Sequence, residues 1–534
     1  MYIATVPNRK SPPAILLRES YRDNDKVKTR TIANLTHWAP ERIEALRKAL
    51  KGDFDGMDAE AVSGEIFGVL FALKQLADQV GMTRVLGPSE EGRLALFLVL
   101  ARIAHAGSRL SAVRWAEQHA VSDILGLEGF DENDLYAALD WLAAEQTRIE
   151  QQLYAGYVQR SGTPPALVLY DVTSSYFEGE HNELANYGYN RDGKSGKPQI
   201  VIGLLTGADG EPLAVRVFEG NTADPSTVST QIDLLKQQFG VEEVVFIGDR
   251  GMLKAKGKVA LGAEGWRYIS ALTRPQIRAL LTDGILQPDL FDADIGEVAQ
   301  AGKRLIVRRN ESMRRRVRAR RADKLQRLEA LIAERNVFVS QSTRADPAAG
   351  LRQLERWVKR YKLHGFVTLS LEADQIRCTI DQENLDALAL LDGCYVLETT
   401  VPAARMDTQT VDARYRDLQR VERGFRTLKT DFLEVRPIFL RNGERTKAHV
   451  FVAMLALKIT RLFQSLLHRA FGTTDDDPHA TTADDALAAL SRLTYLIYDI
   501  KGTRYARLIQ PDEAQRTLLD ALGLRFPRQT AKAL

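Results

Sequence analysis

Three acidic residues stand in settings unlike one another. Asp171 ends the run Ala-Leu-Val-Leu-Tyr-Asp at 166–171, Asp249 ends Val-Val-Phe-Ile-Gly-Asp at 244–249, and Glu422 lies inside a helix-patterned stretch at 412–429. The runs before both aspartates have the make-up of buried strands, where a carboxylate is costly unless a cation or metal ion compensates it. Two strand-end aspartates and a helical glutamate therefore point to a divalent-metal site. The chemistry that uses such a set is phosphoryl transfer, in which two Mg2+ or Mn2+ ions about 3.5–4 Å apart activate a nucleophile and stabilise the leaving 3′-oxygen. Carboxylate oxygens suit these hard ions, and no cysteine or histidine is required. In this arrangement Asp171 bridges both ions, while Asp249 and Glu422 each hold one side.

The elements that must position them follow from periodicity. On 412–429, Leu418, Val421, Phe425 and Leu428 keep helical spacing and form the expected buried stripe. Tyr415, Glu422 and Lys429 recur every seven residues beside it, and Arg426 follows Glu422 by four. Tyr415, Arg426 and Lys429 are placed to meet DNA phosphates. Taken alone, Glu422 reads as a rung of a surface ion-pair ladder. Convergence with two aspartates changes that reading, because three carboxylates repel one another unless cations lie between them. Upstream, strands are expected at 166–173, 200–206 and 212–218, a helix at 226–239, then strands at 243–249 and 266–272. A helical crossover after three antiparallel strands returns the fourth parallel to the first, which brings Asp171 and Asp249 to one sheet end.

The length of 534 residues calls for several domains. The expected division is a β-ribbon at 1–38, a helical DNA-binding region at 39–160, a first core segment at 161–272, an insertion at 273–411, a second core segment at 412–475 and a helical tail at 476–534. The helical region reads either as a helix-turn-helix module or as a plain bundle. The tail carries weak helical patterns at 482–498 and 511–522. Lysine plus arginine (73) nearly balances aspartate plus glutamate (70), for a net charge of +3. The charge is unevenly spread: residues 303–327 hold twelve basic and two acidic side chains, so the rest of the chain is net acidic. Such density favours non-specific phosphate binding through Arg314, Arg315, Arg316, Arg318, Arg320 and Arg321. The only cysteines, Cys378 and Cys394, offer neither a disulfide framework nor a zinc site. With no signal-like leader and no run of membrane-span length, a cytoplasmic protein without a membrane partner is expected.

Strand-Asp, strand-Asp, a long insertion and then Tyr-x6-Glu-x6-Lys resembles the DDE transposases of bacterial insertion sequences, specifically the insertion-sequence-four superfamily. Tyr187-Gly188-Tyr189-Asn190-Arg191-Asp192-Gly193-Lys194, Lys197-Pro198-Gln199, Gly220-Asn221-Thr222-Ala223-Asp224 and Gly248-Asp249-Arg250-Gly251 strengthen the resemblance, which spans about residues 160 to 470. The family's fuller signature has arginine three residues after the tyrosine. This chain has Leu418 there, with Arg416 and Arg420 nearby. The resemblance implies an α/β (α+β) chain: an RNase H-like mixed sheet flanked by helices, with a mostly β insertion and an N-terminal helical region. It also implies a bacterial enzyme, nucleoid-associated when bound to DNA, that binds double-stranded element ends and target DNA as a homodimer. It would cleave at the ends of its own element and join the freed 3′-hydroxyls to the target.

Around this core, Arg191, Lys194 and Lys197 on the loop after the first strand, and Arg250 beside Asp249, are DNA-contact candidates. Asn221 and Asp224 read as supports of the site or as turn and cap chemistry. Trp266 belongs to the core more readily than to a base stack, and Trp357 leaves both open. His364 and His449 are isolated, and Glu178, Glu180 and Glu183 read as loop charges. Two rivals stay open: a catalytically silent DNA-binding descendant, and an RNase H-like nuclease without strand transfer.

Overall fold

Unbroken apolar runs make strands that are covered on both faces, and the centre of this fold is built from them. The computed structural model describes all residues except 9–11, 24–25, 52–58, 195, 343, 431–432, 437, 475–476, 478, 501–502, 528–530 and 534. A central sheet contains β1 (Leu167–Tyr176), β2 (Gln199–Gly207), β3 (Pro212–Glu219), β4 (Val245–Gly248), β5 (Arg267–Ala271), β6 (Ile295–Gln300), β7 (Lys303–Arg309) and β8 (Cys394–Thr399). Their spatial order is β6-β7-β8-β5-β4-β1-β2-β3. Strands β1, β2 and β3 pair antiparallel, and β1, β4 and β5 pair parallel. The expected crossover is an Asp224–Asp233 helix that ends in a π-turn at Leu234–Gln238. This is an RNase H-like mixed sheet.

Side-chain parity along β1 decides where Asp171 points. Leu167 and Leu169 belong to the apolar cluster that holds Val421, Phe425, Leu428 and Phe451, whereas Val168, Tyr170 and Val172 pack on the other face with Ile232 and Leu253. Asp171 shares the parity of Leu167 and Leu169, so it emerges on the face covered by the Leu418–Lys429 helix. All four members of the predicted stripe on that helix are buried.

The structure revises several expectations. The 412–429 stretch is two helices, Thr408–Arg416 and Leu418–Lys429, which meet at Asp417. Residues 273–411, expected to be mostly β, add β6, β7 and β8 to the central sheet and a separate hairpin, Val367–Glu372 with Gln375–Ile380. They are also rich in helix, including Glu311–Gln341 and Pro347–Arg360. The tail is not wholly helical: after the Ala483–Leu490 helix, Tyr495–Ile500 and Thr503–Leu508 form a hairpin that pairs with Ala59–Ser63 and Ala531–Ala533. At the N-terminus, as expected for a β-ribbon, Tyr2–Val6, Ala14–Asp23 and Lys26–Asn34 form an antiparallel sheet. Among the described residues one helix, Gly443–Phe471, is long and apolar enough to cross a membrane by length and composition, contrary to the expectation of no such run. Most of its apolar window is buried against the Glu132–Ser161 and Glu90–Ala104 helices and β3, as befits a central core helix.

A buried ion pair fastens the long Glu132–Ser161 helix to the sheet. Glu150, with a fully buried side chain, accepts from Arg216 Nη1 at 2.8 and 2.9 Å, Gln238 Nε2 at 2.8 Å, Gln146 Nε2 at 2.9 Å and the Val215 amide at 3.3 Å. Glu150→Ala strands the Arg216 guanidinium in the interface and is expected to lower unfolding free energy by about 3 kcal/mol, read by urea denaturation.

Candidate active site

The β1 strand, the loop after β4 and the Leu418–Lys429 helix deliver Asp171, Asp249 and Glu422 to one open cavity of about 320 Å3, which Arg191, Asp224, Thr173, Met252 and Phe425 help to line. Sequence reasoning placed these three acids together, and the structure gives them a common cavity. Asp171 is half-buried and its Oδ1 accepts from the Val172 amide at 2.8 Å. Burial raises its carboxyl to about 7, the Asp249 and Glu422 charges add to the push, and the Val172 amide and Arg191 oppose it. Asp249 and Glu422 are exposed. Among the described residues, no three Asp, Glu, His or Cys side chains converge closely enough to hold a metal ion as placed. The donor chemistry nonetheless fits a hard divalent cation: the oxygens are carboxylate, and a cation there would relieve the mutual repulsion that favours a protonated Asp171.

Tyr415, expected to face DNA, instead turns inward. From the Thr408–Arg416 helix its hydroxyl donates to Asp249 Oδ1 at 3.1 Å, and burial together with the Asp249 charge pushes its phenol upward. It therefore orients a candidate ligand. Tyr415→Phe is expected to slow DNA cleavage about tenfold, the worth of one hydrogen bond, with the unfolding midpoint nearly unchanged. A cleavage time course beside a thermal melt checks both.

Lys429 is likewise drawn inside. Its ammonium donates to Asp192 Oδ1 at 2.8 Å, Arg436 Nη1 donates to the same oxygen at 2.6 Å, and Asp192 Oδ2 accepts from the Tyr176 amide at 3.1 Å. The Asp192 carboxylate is 2% exposed. This triad ties the end of the glutamate helix to the end of β1. Its counter-ion, Arg436, was not singled out in the sequence; the signal available was Asp192 itself, a charge within the Tyr187–Lys194 motif.

The remaining candidates divide. Arg191 lines the cavity and forks onto Asp224, with Nη2 at 2.5 and 2.6 Å from its two oxygens. Lys194 lies over the Tyr176 ring at 5.6 Å, and Lys197 pairs with Glu178 at 2.8 Å; neither lines the cavity. Arg426 is exposed, as is Arg250, which lines a neighbouring trough. Near Leu418, Arg416 pairs with buried Asp412 at 3.0 Å and Arg420 donates to the Ala208 carbonyl at 2.5 Å.

The basic run does not form one continuous phosphate-binding face. Arg304 and Arg308 lie in β7 and pair with Glu297 and Asp412, because the run begins as a strand of the central sheet. On the Glu311–Gln341 helix, Arg314 and Arg315 pair with Glu311 at 3.2 and 3.8 Å. Arg318 and Arg321 face the buried Asp392 at 3.9 and 2.5 Å, and Arg316 and Arg320 are exposed. None of the six lines the acidic cavity. Trp266 is core, donating to the Glu242 carbonyl at 2.9 Å, and Trp357 packs beside Tyr361. Glu183, read as a loop charge, accepts from the Gly443 amide at 2.7 Å, at the start of the core helix.

An RNase H-like sheet that brings two strand-end aspartates and a glutamate from a later helix to one cavity defines a DDE-type site. Residues 162–459, more than half of the chain, match the transposase DDE domain family, and the chain belongs to that family; residues 3–62 match the N-terminal domain of IS1634 family transposases. It is a transposase of the insertion-sequence kind. No curated protein matches it. Among solved structures it is similar to the piggyBac transposase in a synaptic complex with hairpin DNA, at 9% identity over 79% of this chain and 75% of that one, with a TM-score of 0.35. It is also similar to Mos1 transposase in a paired-end complex with the left transposon end, at 14% identity over 43% and 68%, with a TM-score of 0.15.

Proposed function

We propose that this transposase, of the insertion-sequence-four type by its motifs, binds the terminal inverted repeats of its own element, cleaves at the ends and joins the freed 3′-hydroxyls to target DNA. The observation that supports this most is the common cavity of Asp171, Asp249 and Glu422. These three residues would hold two Mg2+ or Mn2+ ions, which when bound supply nucleophile activation and leaving-group stabilisation. Asp171, whose carboxyl lies near neutrality, would have to be deprotonated to serve as a ligand. Tyr415 keeps Asp249 turned toward the cavity, and the Arg191–Asp224 fork closes its wall. Exposed Arg250 and Arg426 meet the DNA backbone, and a homodimer bridges two ends.

The test supplies pre-cut ends bearing 3′-hydroxyls with a target plasmid and Mn2+. Joined product in the wild type and none with Asp171→Asn supports the reading. Cleavage without joining would leave a nuclease. DNA binding without either would leave a silent descendant.

A further inference from the structure

A second charged cavity, of about 370 Å3, lies between the N-terminal helices and the catalytic core, and its lining includes Arg102, Arg109, Glu434, Arg436, Phe439 and His449. Its cations are poorly compensated. Arg102, at the end of the Glu90–Ala104 helix, is 9% exposed and has no hydrogen-bond or ion-pair partner among the described residues. Arg109 Nη2 lies 2.7 Å from His449 Nδ1, while His449 Nε2 lies 3.3 Å from the Val435 carbonyl. The carbonyl can only accept, so Nε2 carries the proton and Nδ1 accepts from Arg109. Burial and the Arg109 and Arg102 charges push His449 well down, in keeping with that neutral tautomer. The partner of Arg109 is therefore uncharged, and Arg109 Nε is buried without any partner.

The surroundings add positive potential. Ser108 caps the Arg109–Ala116 helix, whose N-terminus opens on the cavity beside Gly107. Arg436 reaches the lining while sharing the single charge of Asp192 with Lys429. Among the described residues, Glu434 is the one carboxylate in the lining, and it is exposed. Burial, then the Arg109 charge, draw Arg102 down to about 10, with the Glu434 charge opposing them. A protein that needed these groups only for packing would place an apolar side chain or a paired carboxylate there. Two guanidiniums that form no ion pair among the described residues, a helix N-terminus and a cavity make a fit for a tetrahedral oxyanion.

We propose that this cavity binds one backbone phosphate of the element-end duplex and so registers that duplex against the acidic cavity. The source of the phosphate rests on the transposase reading; the anion site itself does not. Through Arg436, Asp192 and Lys429 the cavity adjoins the glutamate helix, so an occupant would brace the element that carries Glu422.

The experiment uses the full chain in EDTA, with no cleavage possible, and follows the salt dependence of binding to a labelled duplex carrying the terminal repeat. Loss of one phosphate contact reduces the slope of log K against log salt by about 0.9, which is about eightfold in affinity at 100 mM salt. Arg102→Gln and Arg109→Gln should each show this change. The double variant should show no more, because both hold the same phosphate, and Arg102→Lys should retain the wild-type slope. In a second arm, millimolar inorganic phosphate should raise the wild-type melting temperature above a sodium chloride control of equal ionic strength. Arg102→Met should abolish that rise and, without anion, melt no lower than wild type, since an unpaired buried charge has been removed. Unchanged slopes in both glutamine variants overturn the proposal, even if inorganic phosphate stabilises the wild type. A lower melting temperature in Arg102→Met with no phosphate response in the wild type also overturns it, in favour of a structural role. Failure of the transposase reading shows separately, as absence of metal-dependent cleavage in a protein whose phosphate response is intact.

Discussion

Asp171→Asn removes DNA cleavage by a thousandfold or more, on the order of 4 kcal/mol of transition-state stabilisation, while leaving DNA binding in EDTA at the wild-type level. The same substitution makes the metal-free protein more stable. In the fold the Asp171 carboxyl lies at about 7, against an ordinary 3.8, chiefly because it is buried beside two other acids. The folded state thus binds this proton more tightly than the unfolded chain does. Between pH 3.8 and about 7 the native protein holds a proton that the unfolded chain has lost, so stability falls as pH rises through that window and the full cost is present above it. At pH 8 the neutral amide avoids a cost on the order of 3 kcal/mol, and the metal-free melt of Asp171→Asn should lie correspondingly higher. Divalent ions should reverse the ranking if Asp171 is a ligand. They compete with the proton, so Mn2+ should raise the wild-type melting temperature more at pH 8 than at pH 6 and should do little for Asp171→Asn. Equal Mn2+ stabilisation of both proteins at both pH values would remove Asp171 from the ligand set.

Much of this site could be read before folding, because the relevant signals are local. The apolar run that ends at Asp171 forms β1, and the i, i+3, i+7, i+10 spacing of Leu418, Val421, Phe425 and Leu428 forms the buried face that aims Glu422. The βββαβ order was sufficient to make β4 a parallel neighbour of β1. What escaped depends on partners distant in sequence. Asp192 meets Arg436 across 244 positions, and Arg308 leaves the basic run to neutralise Asp412 across 104. Periodicity says which face of an element is apolar, and it is silent about which counter-ion a charge will find. The same limit hid the tail: the pairing partner of Tyr495–Ile500, Ala59–Ser63, lies more than 400 residues upstream. The heptad spacing of Tyr415, Glu422 and Lys429 survives only in part. The helix breaks at Asp417, and hydrogen bonding to Asp249 and Asp192 turns the two outer side chains inward.

Asp192→Ala tests whether that inward turn matters, and it should be among the most damaging single changes outside the carboxylate set. The substitution leaves Lys429 and Arg436 as neighbouring cations with side chains 11% and 29% exposed, and removes the acceptor of the Tyr176 amide. An uncompensated buried pair partner costs about 3–5 kcal/mol, so the urea midpoint should fall sharply. Asp192→Asn keeps an acceptor for Tyr176 and should recover only the hydrogen-bond part of the loss, roughly 1–2 kcal/mol. A pH signature separates charge from packing. Burial already holds Lys429 below its ordinary value, with Asp192 opposing that shift, so removing Asp192 drives it lower still. A lysine depressed in the fold binds its proton less tightly than in the unfolded chain, and stability then rises with pH from the folded value toward 10.5. The deficit of Asp192→Ala should therefore narrow between pH 7 and pH 10; a deficit that stays constant across that range would mean that Asp192 acts through shape alone. Because Lys429 lies two turns beyond Glu422 on one helix, cleavage by Asp192→Ala under conditions where it remains folded should drop at least tenfold, with Mn2+ stabilisation weakened in step.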